Sequence, residues 1–410
     1  MMNNKNIDYL TKHYNEFIYP RPIEDIQKDW VNKNMYYVND PTRYWHRLWP
    51  EKLYNKEKLK ILIAGCGTHQ AAIYAKCNPE HFFVGVDLSV NSISHQMKLI
   101  EKHEIKNLEL ICDDFRKIIF KEKFNLIIST GVIHHLEDPG SALGYFEENL
   151  ENDGVISLMV YGNQSSYPIN EIKKILDALK LDHNSESINC IKKLFERINP
   201  SHPAKIFLKD YNDLEYKAGI VDMFLHKSEK FFSIKELIML LSNYNLEIKN
   251  LNYGKNLACT KFFTNNTEKL NEIRKLKIED QWQIGQILNW NDRKISVNCA
   301  KKNYLLTNKI ILNKDIKECY ISIAPGTSYK INENLLNISD EEGENYQFNF
   351  SLKEEDYKIL ELVLKGKEKI SRILSLYNNH EKNLLEEFFL FLLENSFIDK
   401  SLYPVKDLGN

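Results

Sequence analysis

The sequence predicts an α/β chain: a doubly wound sheet of mostly parallel strands, with a smaller α+β domain behind it. Three observations carry this. The apolar run Leu59–Ala64 ends in Gly65-Cys66-Gly67, and a second run, Phe82–Val86, ends in Asp87. A short helical segment lies between them. Further apolar runs follow: Asn107–Cys112 into acids, Phe124–Ile128 into a turn, and Val155–Tyr161 out of one. Short apolar runs bounded by turns, with a helix between, are strands joined by crossovers and covered on both faces.

The first turn is shaped for a ligand. Glycine at 65 and 67 lets the backbone bend sharply and come close where a Cβ would collide. Asp87 lies 20 residues after Gly67. At that offset an acid at a strand's C-terminal end takes both hydroxyls of a ribose. A nucleoside-containing cofactor across the strand ends is the expectation. A dinucleotide fingerprint wants a third glycine three residues after Gly67, and Gln70 stands there, which counts against a nicotinamide cofactor.

The motifs Ala64-Gly65-Cys66-Gly67-Thr68 with Gln70-Ala71-Ala72, Gly131–Leu136 with Asp138-Pro139, and Leu158–Gly162 come in an informative order and spacing. Together they resemble the class I S-adenosylmethionine-dependent methyltransferases, nearest to a bacterial group with these motifs. The resemblance runs from about Tyr14 to Leu251. It implies a Rossmann-like fold and S-adenosylmethionine as cofactor. Ala64, Gly65, Cys66, Gly67 and Thr68 would pass under the methionine part, and Gln70 opens a helix whose N–H groups suit a carboxylate. Asp87 and Leu88 would serve the ribose. Asp113 and Asp114 compete for the adenine amino group, with Asp114 the better fit and Phe115 or Cys112 against the ring. Thr130 and Gly131 complete the cofactor wall. Two departures stand out: Ile63 where the family often has an acid, and His69 where a third glycine is common.

For the chemistry the expected residues are His134, Tyr161, Asp222 and His226, at the C-terminal ends of the strands. Asp222 and His226 lie four apart, so on a helix a carboxylate can orient an imidazole. His134-His135 invites a metal, but adjacent residues point apart and seldom share one ion, so no metal is expected.

Residues 1–58 read as an aromatic and proline-rich cover, with Tyr19 or Arg21 near the cofactor's charged end. Residues 59–255 form the methyltransferase domain, with 162–220 a helical insertion over the acceptor pocket. Residues 256–300 read as a connecting helical segment. Residues 301–410 form an α+β docking or dimerisation module: strands at Lys309–Leu312 and Cys319–Ile323, then helices at Asp356–Leu364, Ile370–Leu376 and Leu384–Leu393. Three helices after strands resemble a winged-helix fold. The formal net charge of −2 argues against nucleic acid as partner. No apolar run approaches a membrane span. Seven scattered cysteines suit neither a disulfide framework nor a zinc knot, so a reducing cytoplasm is expected. The expected function is methyl transfer to a small-molecule acceptor, with a protein acceptor docked by the tail, or a non-catalytic cofactor-binding scaffold, as the alternatives; homodimerisation is a further role for the tail.

Overall fold

The computed structural model describes residues 4–55, 57–210, 213–226, 229–252, 254–264, 266–290, 293–305, 315–332, 335–340, 343–349 and 356–406. The chain divides into two compact units: 1–36, 58–247 and 290–299 make the first, and 37–57, 248–289 and 300–410 the second.

The first unit is built on a sheet of β1 (Lys60–Ala64), β2 (Phe82–Asp87), β3 (Leu108–Cys112), β4 (Phe124–Thr130), β5 (Leu150–Tyr161), β6 (Leu246–Leu251) and β7 (Lys294–Lys301). The seven strands lie in the order β3-β2-β1-β4-β5-β7-β6, and the chain leaves this unit within β6 and within β7. β1 pairs in parallel with β2 and β4, β2 with β3, and β4 with β5, whereas β7 runs antiparallel to β5. Strand order reverses between β1 and β4, which opens a crevice at their C-terminal ends. Ile61, Leu62, Ile63, Leu126, Ile127 and Ile128 are fully buried, as strands covered on both faces require.

Helices α1 (Asn4–Glu16), α2 (Gln70–Cys77), α3 (Val90–His103) and α4 (Pro139–Asn149) belong to this unit. Local chemistry sets their starts. Ser89 accepts from Ser92 N to open α3, and Asp138 accepts from Gly140 N with Pro139 in the first turn of α4. The insertion holds α5 (Asn163–Ala178) and α6 (Ser185–Arg197). Ile169, Ile172 and Leu176 pack on Ile188, Ile191 and Phe195, joined by Ala204, Phe207 and Phe224. The apolar stripe of α5 is narrower than its sequence suggests, since Ile175 and Leu179 are exposed. Ser233 and Glu236 form a reciprocal capping box that opens α7 (Ile234–Ser242).

The second unit carries α8 (Thr267–Lys275), α9 (Ile278–Leu288) and β8 (Tyr320–Ile323), followed by the antiparallel meander β9 (Thr327–Asn332), β10 (Leu335–Asp340) and β11 (Asn345–Asn349). Then come α10 (Tyr357–Leu364), α11 (Ile370–Leu374), α12 (Asn379–Glu394) and β12 (Ile398–Ser401), which pairs with β8. Leu360, Val363, Ile370, Ile373, Leu385, Phe389 and Leu392 close its core over Ile321, Leu336 and Ile338. The strand expected at Lys309–Leu312 lies outside the described residues.

Two boundaries differ from the sequence expectation. Residues 37–57 are not part of an N-terminal cover but of the second unit. There Lys249 Nζ donates to Leu48 O and to Glu51 Oε1, both at 2.7 Å, and Arg47 pairs with Asp399 at 3.1 Å. The 256–300 segment is not one connector: its last stretch is β7, which satisfies the outer edge of β5 from Ile156↔Cys299 to Tyr161↔Lys294.

Candidate active site

The glycine turn and the acid meet at the strand ends. Gly65 and Gly67 have φ of +75° and +55°, the left-handed region that glycine enters without strain. A Cβ on Gly65 would lie 2.4 Å from Val132 Cγ2. Gly65 N and Cys66 N both donate to Val86 O, which stitches the bend to the end of β2. Gly67 N then donates to Asp87 Oδ2 at 2.8 Å, and Ser89 N to Asp87 Oδ1 at 2.9 Å. Burial raises the Asp87 carboxyl above its ordinary range, and these amide donors offset only part of the rise.

One residue that positions this turn was missed by sequence reasoning. Gln96 on α3 is fully buried; its amide donates to Gly67 O at 2.7 Å and accepts from Ala72 N at 2.9 Å. It ties the bend to the start of α2. The available signal was a long polar side chain on the buried face that α3 forms with Ser92, Ile93 and Leu99.

The other expected cofactor residues fall around the same crevice. Gln70 Nε2 reaches Thr130 Oγ1 at 3.4 Å, joining the start of α2 to the end of β4 beside Gly131. Ala64, Cys66 and Thr68 are buried, and burial pushes the Cys66 thiol up, so it stays protonated. Thr68 Oγ1 donates to Pro20 O at 3.0 Å, so the Tyr19-Pro20 segment lies on the turn, while Arg21 is exposed. Leu88 is half-buried. Asp114 is fully engaged: it caps the following turn and takes Arg116 in a fork at 3.0 and 2.9 Å. Asp113 is the exposed carboxylate of the pair. Phe115 packs on Phe146, with ring centroids 5.3 Å apart, in the core.

The four expected catalytic residues are all buried in this unit, among partners from α1 and the insertion. His134 lies 4.1 Å, ring to ring, from Tyr161, and His135 lies 4.3 Å from His226. Asp222 sits in a π-helical turn, Val221–Leu225, with His226 at its end. Its carboxylate accepts from Tyr14 O–H at 3.1 Å, and His13 Nε2 is 3.9 Å away. Burial and then the nearby Glu229 push the Asp222 carboxyl up to about 7. Burial pushes His134 and His226 well below the usual imidazole range, so both are neutral. Arg293 lies over the Tyr161 ring at 3.8 Å. Tyr14, His13 and Arg293 were not legible as site residues, because they come from a helix before the sheet and from the residue leading into β7, long after it.

A glycine bend hydrogen-bonded to the β2 acid, at the switch point of this strand order, is the architecture of the class I methyltransferase fold. Residues 55–219 match the family model described as a methyltransferase domain. A tRNA (guanine-N(7)-)-methyltransferase from Rubrobacter xylanophilus is 29% identical over 26% of this chain and 48% of its own length. A malonyl-[acyl-carrier protein] O-methyltransferase from Bacillus cytotoxicus is 23% identical over 47% of this chain and 66% of its own. The chain thus spans about half to two thirds of these relatives. Among solved structures, PKMT2 from Rickettsia typhi in complex with AdoHcy aligns with a TM-score of 0.63 at 15% identity, covering 89% of this chain and 76% of that one. Among the described residues, no helix is long and apolar enough to cross a membrane.

Proposed function

We propose that the protein transfers a methyl group from S-adenosylmethionine to a small-molecule acceptor. The single observation carrying this is the Gly67 N to Asp87 Oδ2 hydrogen bond, which puts the glycine bend and the ribose-type acid at one point of the crevice. The residues fit the cofactor: glycines whose Cβ positions are filled or strained, an acid at the end of β2, and an exposed Asp113 at the end of β3. When bound, the cofactor supplies an electrophilic methyl on a sulfonium whose leaving group departs neutral. The protein's work is then alignment and exclusion of water. Gly65–Thr68 and Gln70 hold the amino-acid end, Asp87 the ribose and Asp113 the adenine edge.

An acceptor that carries a proton must lose it. Asp222, near 7 and oriented by Tyr14 O–H, is the base suited to that step. His134, His226 and Tyr161 wall the cleft and keep it dry. A small acceptor is favoured because these side chains and His13 are buried, with Tyr14 half-buried beside them, rather than spread along an open groove.

Calorimetric titration with S-adenosylmethionine and its demethylated product tests the cofactor. A labelled methyl donor incubated with size-fractionated cell extract then tests the acceptor. Label in the low-mass fraction supports a small molecule, and label on protein overturns that part. No binding of either cofactor form at millimolar concentration overturns the whole reading.

A further inference from the structure

His134 is an unusual histidine for a structural role. It is fully buried, and neither ring nitrogen has a hydrogen-bond partner. Leaving such a group unpaired inside a protein costs free energy, so a native site that does so calls for a reason. Its neighbour in sequence is also its neighbour in space. The 3₁₀ turn Ile133–His135 brings the His134 and His135 rings to 4.2 Å, defeating the rule that adjacent side chains diverge.

A carboxylate is held against them by backbone. Lys230 N donates to His134 O at 2.8 Å, and Phe232 N to Tyr161 O at 2.9 Å, so residues 229–232 run along the end of β5. This lays Glu229 beside the two rings. Its Oε2 is paired with Lys173, while its Oε1 is buried and has no partner. One donor atom from each of His134, His135 and Glu229 lies within 4.8 Å of the others. Donors bonded to one ion at about 2.1 Å are at most about 4.2 Å apart, so small side-chain rotations close the set.

We propose that His134, His135 and Glu229 form a binding site for a divalent cation of the zinc class. Two imidazoles and one carboxylate are the donor set of an open site for a borderline ion, and the wrong one for magnesium or calcium, which prefer oxygen throughout. Asp222 faces Glu229, and the positive charges of Lys173 and Arg293 lie beside His134. A hollow of about 340 Å³ is lined by His13 and His183 between α1 and the start of α6. Packed rings separate it from the two candidate ligands: His183 to His13 at 5.1 Å, His13 to His226 at 4.8 Å, His226 to His135 at 4.3 Å.

The test reads metal rather than turnover, so it stands apart from the methyl-transfer reading. Chelator-stripped full-length protein is titrated with Zn²⁺ by calorimetry and with Co²⁺ by visible absorption. The expected result is one saturable site per chain with a ligand-field band. His134→Ala and the isosteric Glu229→Gln should each weaken it at least about 100-fold, more than the roughly 10–100-fold of a mere supporting residue. Exposed His380→Ala should leave it unchanged. Circular dichroism identifies any variant that misfolds, and Glu229→Gln, which keeps the shape, then decides. Absence of a saturable site, or affinity unmoved in a folded Glu229→Gln protein, overturns the proposal.

Discussion

The amide of Gly67 donates to Asp87 Oδ2 at 2.8 Å across 20 residues of chain. Under the proposed function the same carboxylate takes the ribose hydroxyls. Asp87→Ala therefore removes two charge-assisted hydrogen bonds of about 1.5–3 kcal/mol each. AdoHcy affinity measured by calorimetry should fall at least about 100-fold. An unchanged affinity would remove Asp87 from the cofactor site.

Asp222 sets a pH dependence whose sign can be worked out. Its carboxyl rises from 3.8 to about 7 on folding, through burial first and Glu229 second, opposed by Arg293, Tyr14 and Lys173. The folded chain thus keeps a proton that the unfolded chain releases above about pH 4. That stabilisation is complete below pH 4 and is lost as pH rises through 7. The melting-temperature advantage of the native protein over Asp222→Asn should shrink over that interval. In methyl transfer, kcat/KM should rise toward a plateau above pH 7, and Asp222→Asn should lose both rate and rise. A rise that persists in the Asn variant assigns the base elsewhere.

Tyr14 holds the Asp222 carboxylate from outside the sheet. Its hydroxyl donates to Asp222 at 3.1 Å and favours the ionised form. Tyr14→Phe should move the inflection of the pH–rate profile upward without altering AdoHcy affinity. An inflection that stays in place would show that α1 does not tune the carboxylate.

In the second unit, Lys249 and Glu51 form an ion pair at 2.7 Å with both side chains buried. Removing one partner strands the other charge, so Lys249→Ala should cost about 3–5 kcal/mol in denaturant unfolding. Replacing both with apolar residues of similar volume should cost much less. Equal losses in the single and double variants would contradict this account.

What could be read in the sequence follows physical locality. The five parallel strands, the glycine bend, the capping box at Ser233 and the proline-led start of α4 depend on residues within a few positions of one another, so the sequence displays them. The partnership of Gly67 with Asp87 was legible because strand, crossover and strand form one local unit. Tyr14 with Asp222, 208 residues apart, was not, because nothing in either segment encodes the other. Asp113 and Asp114 compete as the adenine acid in the sequence; Arg116, two positions on, engages both oxygens of Asp114, a pairing that only the fold displays. The metal reading of His134-His135 was set aside on helix and strand geometry. The 3₁₀ turn that seats them is visible only in the fold, and so is the Glu229 that segment 229–232 carries beside them.

β7 arrives late in the chain and runs antiparallel to β5. During synthesis on a ribosome, roughly 130 residues emerge after β5 before its neighbour does. At about 5–20 residues per second that is many seconds in which the rim of β5 bares its amides and carbonyls. The nascent protein therefore has a built-in window of vulnerability to strand-swapping and clumping, and a chaperone that masks that rim would matter most then.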